Sequence, residues 1–326
     1  PHDTGRSSSL SSRDAGMRET TAGSRDSTPG GEQVHVSPRL GAAIATISWG
    51  LSFVATKAAV QEISPVTLIF TRFALGLALL FIVLRARRKR LIPPRALWGN
   101  LVLMGFISIF VHQMLQAHAL TLTSAVNTGW LIGLTPIWSA VLAAFILKER
   151  FGPAKTIGLA VGFLGAALVV TQGRLGSVQL VPSTRGDLLI LASTLNWAIF
   201  TVLSRPILDK LDPLEFTVSS MFLGWIMLAP FFVVEGSWRQ YASLTTPGWI
   251  AVLFLAIVCS GIAYLLWYEA VARLETSRVA SFLYLEPLVT AVGAAVLLAE
   301  PVRLITVIGG LLLLGGVMLV QRAQDR

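Results

Sequence analysis

Three ionisable side chains lie well inside long apolar stretches of this sequence, where an isolated charge is costly. They are Arg72, His112 and Glu286. An ionisable residue surrounded by hydrocarbon normally faces a cavity, a partner or a bound solute, because burying its charge alone is expensive. These residues are therefore the first candidates for solute binding and for proton transfer.

Glu286 lies about eight residues, or roughly 12 Å at the helical rise, into its apolar stretch, and it directly precedes Pro287. A proline leaves one helical carbonyl without its donor, which allows the helix to open beside the carboxylate. Pro136 has the matching position in an earlier stretch, so we expect a helix break at each proline. Two interpretations of Glu286 are open: a proton-coupling site, or one half of a structural ion pair.

Arg72 and His112 each allow a binding and a packing interpretation. The guanidinium of Arg72 presents a fixed fork of donors, which suits an anionic group of a solute. The alternative for Arg72 is an internal ion pair, for instance with Glu286. His112 titrates near neutrality in an ordinary environment, so it is a second coupling candidate. The alternative for His112 is a packed, neutral imidazole.

Aromatic residues in the same stretches are candidates for the lining of a solute cavity. Aromatic faces suit flat or amphipathic solutes and attract cations, although interfacial anchoring and core packing are alternative uses of these residues. Asn127 is a polar cavity candidate. The aromatic candidates are Trp49, Trp130, Trp197, Tyr264, Trp267 and Tyr284.

The composition indicates that membrane helices position these residues. Of 326 residues, 54% are hydrophobic and 13% charged, whereas about 25% of the residues in soluble domains are charged. The apolar residues occur in runs close to the roughly 20 that cross a bilayer. The sequence predicts an all-α polytopic protein with ten spans, at approximately 41–60, 65–84, 97–117, 123–147, 154–172, 187–207, 214–234, 247–268, 278–298 and 303–321.

The net charge of +9 does not indicate nucleic-acid binding, because much of the excess lies in the polar N-terminus and in one connection between spans 2 and 3. Lys and Arg beside short loops remain cytoplasmic. We therefore expect this connection and both termini to be cytoplasmic. The basic residues of the connection are Arg85, Arg87, Arg88, Lys89, Arg90 and Arg95.

An internal repeat divides the chain into two halves of five predicted spans. Because five is odd, the second half enters the bilayer from the opposite side, and such inverted halves support alternating access. The predicted organisation is a disordered polar tail over 1–38, repeat 1 over 39–172, repeat 2 over 186–321 and a short tail over 322–326. An offset of 148 matches Trp49 to Trp197 and Lys57 to Arg205, and an offset of 151 matches Pro136 to Pro287, Glu149 to Glu300 and Gly165 to Gly316.

The repeat and the predicted topology together place four charged residues at the two membrane faces. Lys57 and Glu300 fall near the outer face, and Arg205 and Glu149 fall near the inner face. We interpret them as two alternating gates between the repeats, one of which closes when the other opens. The alternative is that four unrelated end residues extend their charges toward water.

At these positions the sequence resembles the drug/metabolite transporter superfamily, in its EamA-like bacterial branch. The resemblance implies ten helices, a central cavity mainly between spans 1 to 4 and 6 to 9, and peripheral spans 5 and 10. It also implies a secondary-active transporter, often an exporter, of small organic metabolites or drugs in the bacterial cytoplasmic membrane. It extends over about 40–321 and rests on Trp49-Gly50, Lys57, Arg72 and the run from Pro136 to Glu149, then on the run from Ala263 to Tyr268, Leu285-Glu286-Pro287, Glu300 and Gly309.

A membrane-embedded enzyme and a passive channel are the alternative functions. An enzyme would need a nucleophile with its base or a set of metal ligands, and the sequence contains neither H-E-x-x-H nor G-x-S-x-G. The single cysteine, Cys259, does not permit a cysteine-based metal cluster. We expect no enzyme activity, metal or cofactor. The expected partners are a small-molecule solute, the lipid bilayer and a coupling proton, and not nucleic acid.

Overall fold

The computed structural model describes residues 37–147, 152–173, 182–274 and 282–324. Every regular element within these ranges is a helix. Nine helices in the described part of the chain are long and apolar enough to cross a membrane, and Leu285–Leu297 is a shorter apolar helix. The predicted all-helical membrane protein is confirmed at this level. Most of the predicted N-terminal tail, 1–36, lies outside the described residues.

In the described part of the chain, nine of the ten predicted spans coincide with helices of spanning length, and the predicted ninth span, 278–298, contains the shorter helix Leu285–Leu297. Two of the spans contain a π-helical segment, at Phe106–Val111 and at Phe254–Ile262, and short 3-10 helices occupy Arg95–Leu97 and Ser237–Ser243. The α-helices are α1 Pro38–Ala59, α2 Pro65–Ala86, α3 Trp98–Gly105, α4 His112–Leu122, α5 Ala125–Ile132, α6 Thr135–Leu147, α7 Pro153–Thr171, α8 Pro182–Leu208, α9 Pro213–Glu235, α10 Thr246–Leu253, α11 Ala263–Arg273, α12 Leu285–Leu297 and α13 Leu304–Gln324.

Several helices begin where a short polar residue precedes proline. The side chains of Ser37, Ser64 and Asp212 accept hydrogen bonds from backbone N–H groups of the first turns of α1, α2 and α9. A polar cap satisfies a donor that the helix cannot, and proline at the following position has no N–H to satisfy. These helix starts are therefore encoded locally.

The predicted fourth span is interrupted, because α5 ends at Ile132 and α6 begins at Thr135. Pro136 cannot donate to the carbonyl of Ile132, so the regular helix cannot continue through this point. The chain turns instead through Gly133 and Leu134, whose N–H groups bond to the carbonyls three residues earlier. A second turn, at 283–284, precedes α12 and Pro287.

The two π-helical segments begin at Phe106 and Phe254, 148 residues apart (254 − 106), which is the offset of the early part of the sequence repeat. A π segment is often found at a functional site. In each segment a backbone carbonyl accepts a hydrogen bond from the other half of the chain. Asn196 Nδ2 donates to Ile107 O at 2.8 Å, and Trp49 Nε1 donates to Cys259 O at 3.1 Å.

The helix contacts have the same pattern when the two halves are exchanged. Helix α1 packs against α11, and α4 correspondingly packs against α8. Helix α2 packs against α9 and the second π segment, and α9 packs in turn against the first π segment. Helices α7 and α13 pack closely against each other. A Cβ added to Gly165 would lie only 2.5 Å from Gly309 O.

Candidate functional site

Arg72 lies in the middle of α2 with its side chain only 8% exposed. Its Nε donates to Ser260 Oγ at 3.2 Å, in the second π segment, and its guanidinium lies 5.0 Å from the centroid of the Phe73 ring. Within the described ranges, Glu286 and the other carboxylates form no ion pair with Arg72. A buried guanidinium with terminal donors still available suits an anionic solute group.

Trp49 of α1 contacts the second π segment, which contains Ser260, because its Nε1 donates to Cys259 O. Its ring centroid lies 5.4 Å from that of Tyr264 and 5.1 Å from that of Trp267. Tyr264 also lies within electrostatic range of the Arg72 guanidinium. The predicted cavity residues Trp49, Arg72, Tyr264 and Trp267 are thus brought together, with two aromatic contacts beside one cation.

His112 follows the first π segment and is buried. Its Nδ1 lies 3.1 Å from Ser193 O, and because a carbonyl only accepts, Nδ1 is the protonated nitrogen. The ring centroid of Trp197 lies 4.7 Å away. His112 is also within electrostatic reach of Arg72, so the first and second halves of the chain both contribute residues around the Arg72 guanidinium.

Glu286 lies in the first turn of α12, directly against α1. A Cβ on Gly50 would lie 3.0 Å from Glu286 O, and Thr290 Oγ1 lies 2.8 Å from both Gly50 O and Glu286 O. Among the described residues, none forms an ion pair with the Glu286 carboxylate. Glu286 is therefore a second ionisable side chain within the helical bundle that has no ion pair in the described part of the chain.

The remaining cavity candidates lie elsewhere. Trp130 is 3% exposed and belongs to an apolar cluster, where a Cβ on Gly310 would overlap its ring. The hydroxyl of Tyr284 donates to Gln321. Asn127 is part of a polar network with Asp187, described below. These three residues are placed by packing and internal hydrogen bonds.

Lys57 and Glu300 meet at the turn between α4 and α5. Lys57 Nζ donates to Leu120 O and Thr123 O, both at 2.7 Å. The two carboxylate oxygens of Glu300 accept from the N–H groups of Ala125 and Val126, both at 3.0 Å. The Lys57 ammonium thus binds the negative C-terminal end of α4, and the Glu300 carboxylate binds the positive N-terminal end of α5. The two residues act on one turn without a direct ion pair.

Asp187 completes this end of the bundle, and sequence reasoning missed it. Its side chain is fully buried. Oδ1 accepts from Thr123 Oγ1 at 2.5 Å, and Oδ2 accepts from Asn127 Nδ2 at 3.1 Å. The available signal was an acidic residue at the start of the apolar sixth span. We call Lys57, Thr123, Asn127, Asp187 and Glu300 the Asp187 end.

Exposed ion pairs lie just after the C-terminal end of α2. Arg87 pairs with Glu269 at 2.8 Å, and Arg273 pairs with the same carboxylate at 3.1 Å. Lys89 pairs with Asp212 at 2.7 Å. We call these five residues the Arg87 end.

The Lys89–Asp212 pair shifts the pKa of both groups. The hydrogen bond from Lys89 to Asp212 raises the pKa of the ammonium. Partial burial acts to raise the pKa of Asp212. The hydrogen bond and the charge of Lys89, together with the hydrogen bond from the N–H of Leu214, have a larger effect in the other direction, so the pKa of Asp212 is lowered.

The second predicted gate is only partly described. The side chain of Arg205 is exposed near the C-terminal end of α8. Glu149 lies outside the described residues. The structure therefore gives no geometry for the Arg205–Glu149 pair. In the described ranges, no group of three or more His, Cys, Asp or Glu side chains is arranged to hold a metal ion.

A family model for EamA-like transporters matches residues 38–171 and 184–322. These two matches coincide closely with the two halves of the internal repeat. An uncharacterized transporter of Archaeoglobus fulgidus is 30% identical over 284 residues, which cover 87% of this chain and 97% of that protein.

Two further relatives cover similar shares. The uncharacterized transporter YyaM of Bacillus subtilis is 29% identical and covers 84% of this chain and 90% of its own. A probable terminal-alkyne amino-acid exporter of Streptantibioticus cattleyicolor is 27% identical and covers 86% and 91%. A protein of known crystal structure matches with a TM-score of 0.62 at 21% identity, over 89% of this chain and 98% of that one, which supports the fold.

The family assignment agrees with the described helices. Nine apolar helices of spanning length in the described ranges, two family matches in tandem and transporter relatives that align over most of their length lead to one conclusion. The chain is a multi-pass membrane protein with a transport role, and it belongs to the EamA-like transporter family.

Proposed function

We propose that the chain is a secondary-active exporter of small organic metabolites, and that Arg72 binds an anionic group of the solute. The observation that carries this proposal is the environment of Arg72, which is buried, donates to Ser260 and has no carboxylate in ion-pair contact within the described part of the chain. Burying a cation in this way is costly unless an anion offsets it in part of the cycle.

Alternating access of two inverted repeats, 39–172 and 186–321, is the proposed mechanism. Three observations support it: the tandem family matches, helix contacts that keep their pattern when the halves are exchanged, and π segments at matching positions. The basic connection after α2 supports an orientation with both termini in the cytoplasm. The bacterial transporters among the relatives favour a location in the cytoplasmic membrane of a bacterium.

A carboxylate that also carries an amino group is the solute class that the charges favour. Arg72 would bind the carboxylate bidentately, and the rings of Trp49, Tyr264 and Trp267 would contact the apolar part or the ammonium group. Glu286, whose carboxylate has no ion-pair partner among the described residues, would carry the coupling proton, with His112 as the second candidate. The relative named as an amino-acid exporter agrees with this class.

A ligand thermal-shift screen on the purified protein tests the solute class. Amino acids, nucleosides and cationic drugs would be compared, because a ligand that binds the native state raises its apparent stability. We expect amino acids to raise the melting temperature of the wild type and not that of Arg72→Gln. Arg95→Gln is the matched control, since Arg95 is an exposed arginine of the basic connection.

Two results would contradict the proposal. If only cationic drugs raise the melting temperature, the solute is not anionic. If amino acids raise the melting temperature of Arg72→Gln and of the wild type equally, Arg72 is not part of the binding site. Arg72→Lys keeps the charge without the fork of donors, so we expect it to weaken binding less than Arg72→Gln does. Product analysis of each bound compound would reveal an enzyme.

A further inference from the structure

Asp187 has an environment that does not suit a permanently charged carboxylate. The residue is 0% exposed, and its hydrogen-bond donors, Thr123 and Asn127, are both neutral. Neutral donors compensate only part of the cost of burying a charge. In this conformation the carboxyl group is therefore stabilised by binding a proton.

The charged groups around Asp187 are engaged with other partners. Lys57, from α1, donates to Leu120 O and to Thr123 O. Glu300, after α12, accepts from the N–H groups at the start of α5. On α4, His118 is exposed with Nδ1 at 2.9 Å from Met114 O, and on α8 itself Arg185 is exposed. Within the described ranges, none of these basic side chains forms an ion pair with Asp187.

Helix α8 approaches the end of α4 very closely at the residue before Asp187. A Cβ on Gly186 would lie 2.8 Å from Thr123 Cβ and 2.9 Å from Ala119 O. Asn127 turns its amide nitrogen toward the carboxylate, whereas a metal ion would need an oxygen there. A proton fits this geometry better than a metal ion, because it does not need a shell of oxygen ligands.

We propose that Asp187 is a proton-binding site and that its protonation allows the Asp187 end to close. Opening this end separates α8 from the turn between α4 and α5, so that water reaches the carboxylate and the proton leaves. The inference rests on the proposed alternation between open and closed forms. It assigns to Asp187 a role separate from solute binding at Arg72.

The test measures opening directly, without any solute. Ala125 is 0% exposed and adjoins the turn, so a thiol introduced by Ala125→Cys reacts with a maleimide only when this end opens. Labelling is read at position 125 by peptide mass spectrometry in detergent, where the reagent reaches both ends of the protein. The pH is varied from about 6 to about 9, since proton occupancy changes about tenfold for each pH unit. Because only the thiolate reacts with the maleimide, each rate is divided by that of a free cysteine at the same pH. This ratio is the labelling rate that is compared between variants.

We expect the labelling rate to rise about tenfold or more with pH in the Ala125→Cys protein. With Asp187→Asn added, the rate should remain low at every pH. Asp209→Asn is the matched control, because Asp209 is an exposed acid at the other end of α8, and it should keep the pH response. A second variant, Thr123→Val, removes one donor to the ionised carboxylate, so its labelling should begin at a more alkaline pH.

The possible failures are distinguishable. A rate that is measurable but independent of pH, or that changes equally in Asp187→Asn, would overturn the proton site alone. A rate that follows the Na⁺ concentration at constant pH would also overturn it. If Ala125→Cys is never labelled, even with bound solute, this end does not open, and both the proton site and the proposed alternating access fail.

Discussion

The Asp187 end and the Arg87 end hold the two halves of the chain together in different ways. At the Asp187 end, Lys57 and Glu300 bind backbone groups of one turn, and Asp187 is fully buried. At the Arg87 end, the charged side chains bind one another and remain between 31% and 51% exposed.

This difference predicts that the two ends differ in strength. An exposed ion pair contributes about 0–1 kcal/mol, because water and salt screen it. Charge-assisted hydrogen bonds to otherwise unpaired backbone groups contribute roughly 1.5–3 kcal/mol each, and removing one partner leaves the other unsatisfied. We therefore expect the Asp187 end to be held together more strongly than the Arg87 end, and the comparison can be tested by substitution.

Reversal of both charges at the Asp187 end should have the largest effect. A direct ion pair between the two residues would predict that Lys57→Glu combined with Glu300→Lys rescues the single reversals. The hydrogen bonds predict the opposite, because each reversed charge would face the wrong end of a helix. We expect the double variant to melt at or below the temperature of the worse single variant. Recovery toward the wild-type melting temperature would show that a direct pair matters more than the turn.

Removing the ammonium of Lys57 should have the next largest effect. We expect Lys57→Met to lose about 2–3 kcal/mol of stability, because Leu120 O and Thr123 O lose their donor. Arg205→Met is the control at the matching repeat position, where the side chain is exposed, and it should change stability by about 0.5 kcal/mol or less. Thermal unfolding of both variants provides the comparison. Equal losses of stability would show that the two positions do not differ.

Glu300→Gln should be less severe than Lys57→Met. The amide keeps one acceptor for the start of α5 but loses the charge, so we expect a loss of about 1–2 kcal/mol. Glu269→Gln, at the Arg87 end, removes a charge from exposed pairs and should cost about 1 kcal/mol at most. If Glu269→Gln lowers the melting temperature more than Glu300→Gln does, the Arg87 end is the stronger one.

The smallest expected effect is the pH dependence of the Lys89–Asp212 pair. The lowered pKa of Asp212 gives stability that is present above its usual value near 3.9 and is lost as the pH falls through the lowered pKa. The raised pKa of Lys89 gives stability that is lost as the pH rises above about 10.4. Asp212→Asn should therefore differ from the wild type only between these limits, and less so at high salt. A difference that persists in strong acid would indicate another cause.

Much of the fold follows from the sequence. Apolar runs near 20 residues predict the spanning helices, and a capping residue before proline marks the starts of α1, α2 and α9. The π segments are not predictable in the same way, because their residues have the composition of any apolar helix. Their positions are seen only in the folded structure, where the carbonyls of Ile107 and Cys259 accept hydrogen bonds from the other half of the chain.

The sites were predicted unevenly for a similar reason. An arginine in an apolar run is a clear signal, so Arg72 could be found without a structure. Asp187 is the sixth residue of α8, and the sequence alone suggests only a helix-end residue until its partners Thr123 and Asn127 are known. The partners of Lys57 and Glu300 are backbone atoms, which carry no residue-specific signal in a sequence.

Counterflow in proteoliposomes tests the transport function most directly. Vesicles loaded with an unlabelled amino acid that raises the melting temperature would be diluted into a trace of the labelled compound. The proposed carrier predicts a transient, saturable accumulation of label above equilibrium, which Arg72→Gln abolishes and Arg95→Gln keeps. Simple equilibration without overshoot, or an overshoot that Arg72→Gln leaves unchanged, would contradict alternating access with Arg72 at the solute site.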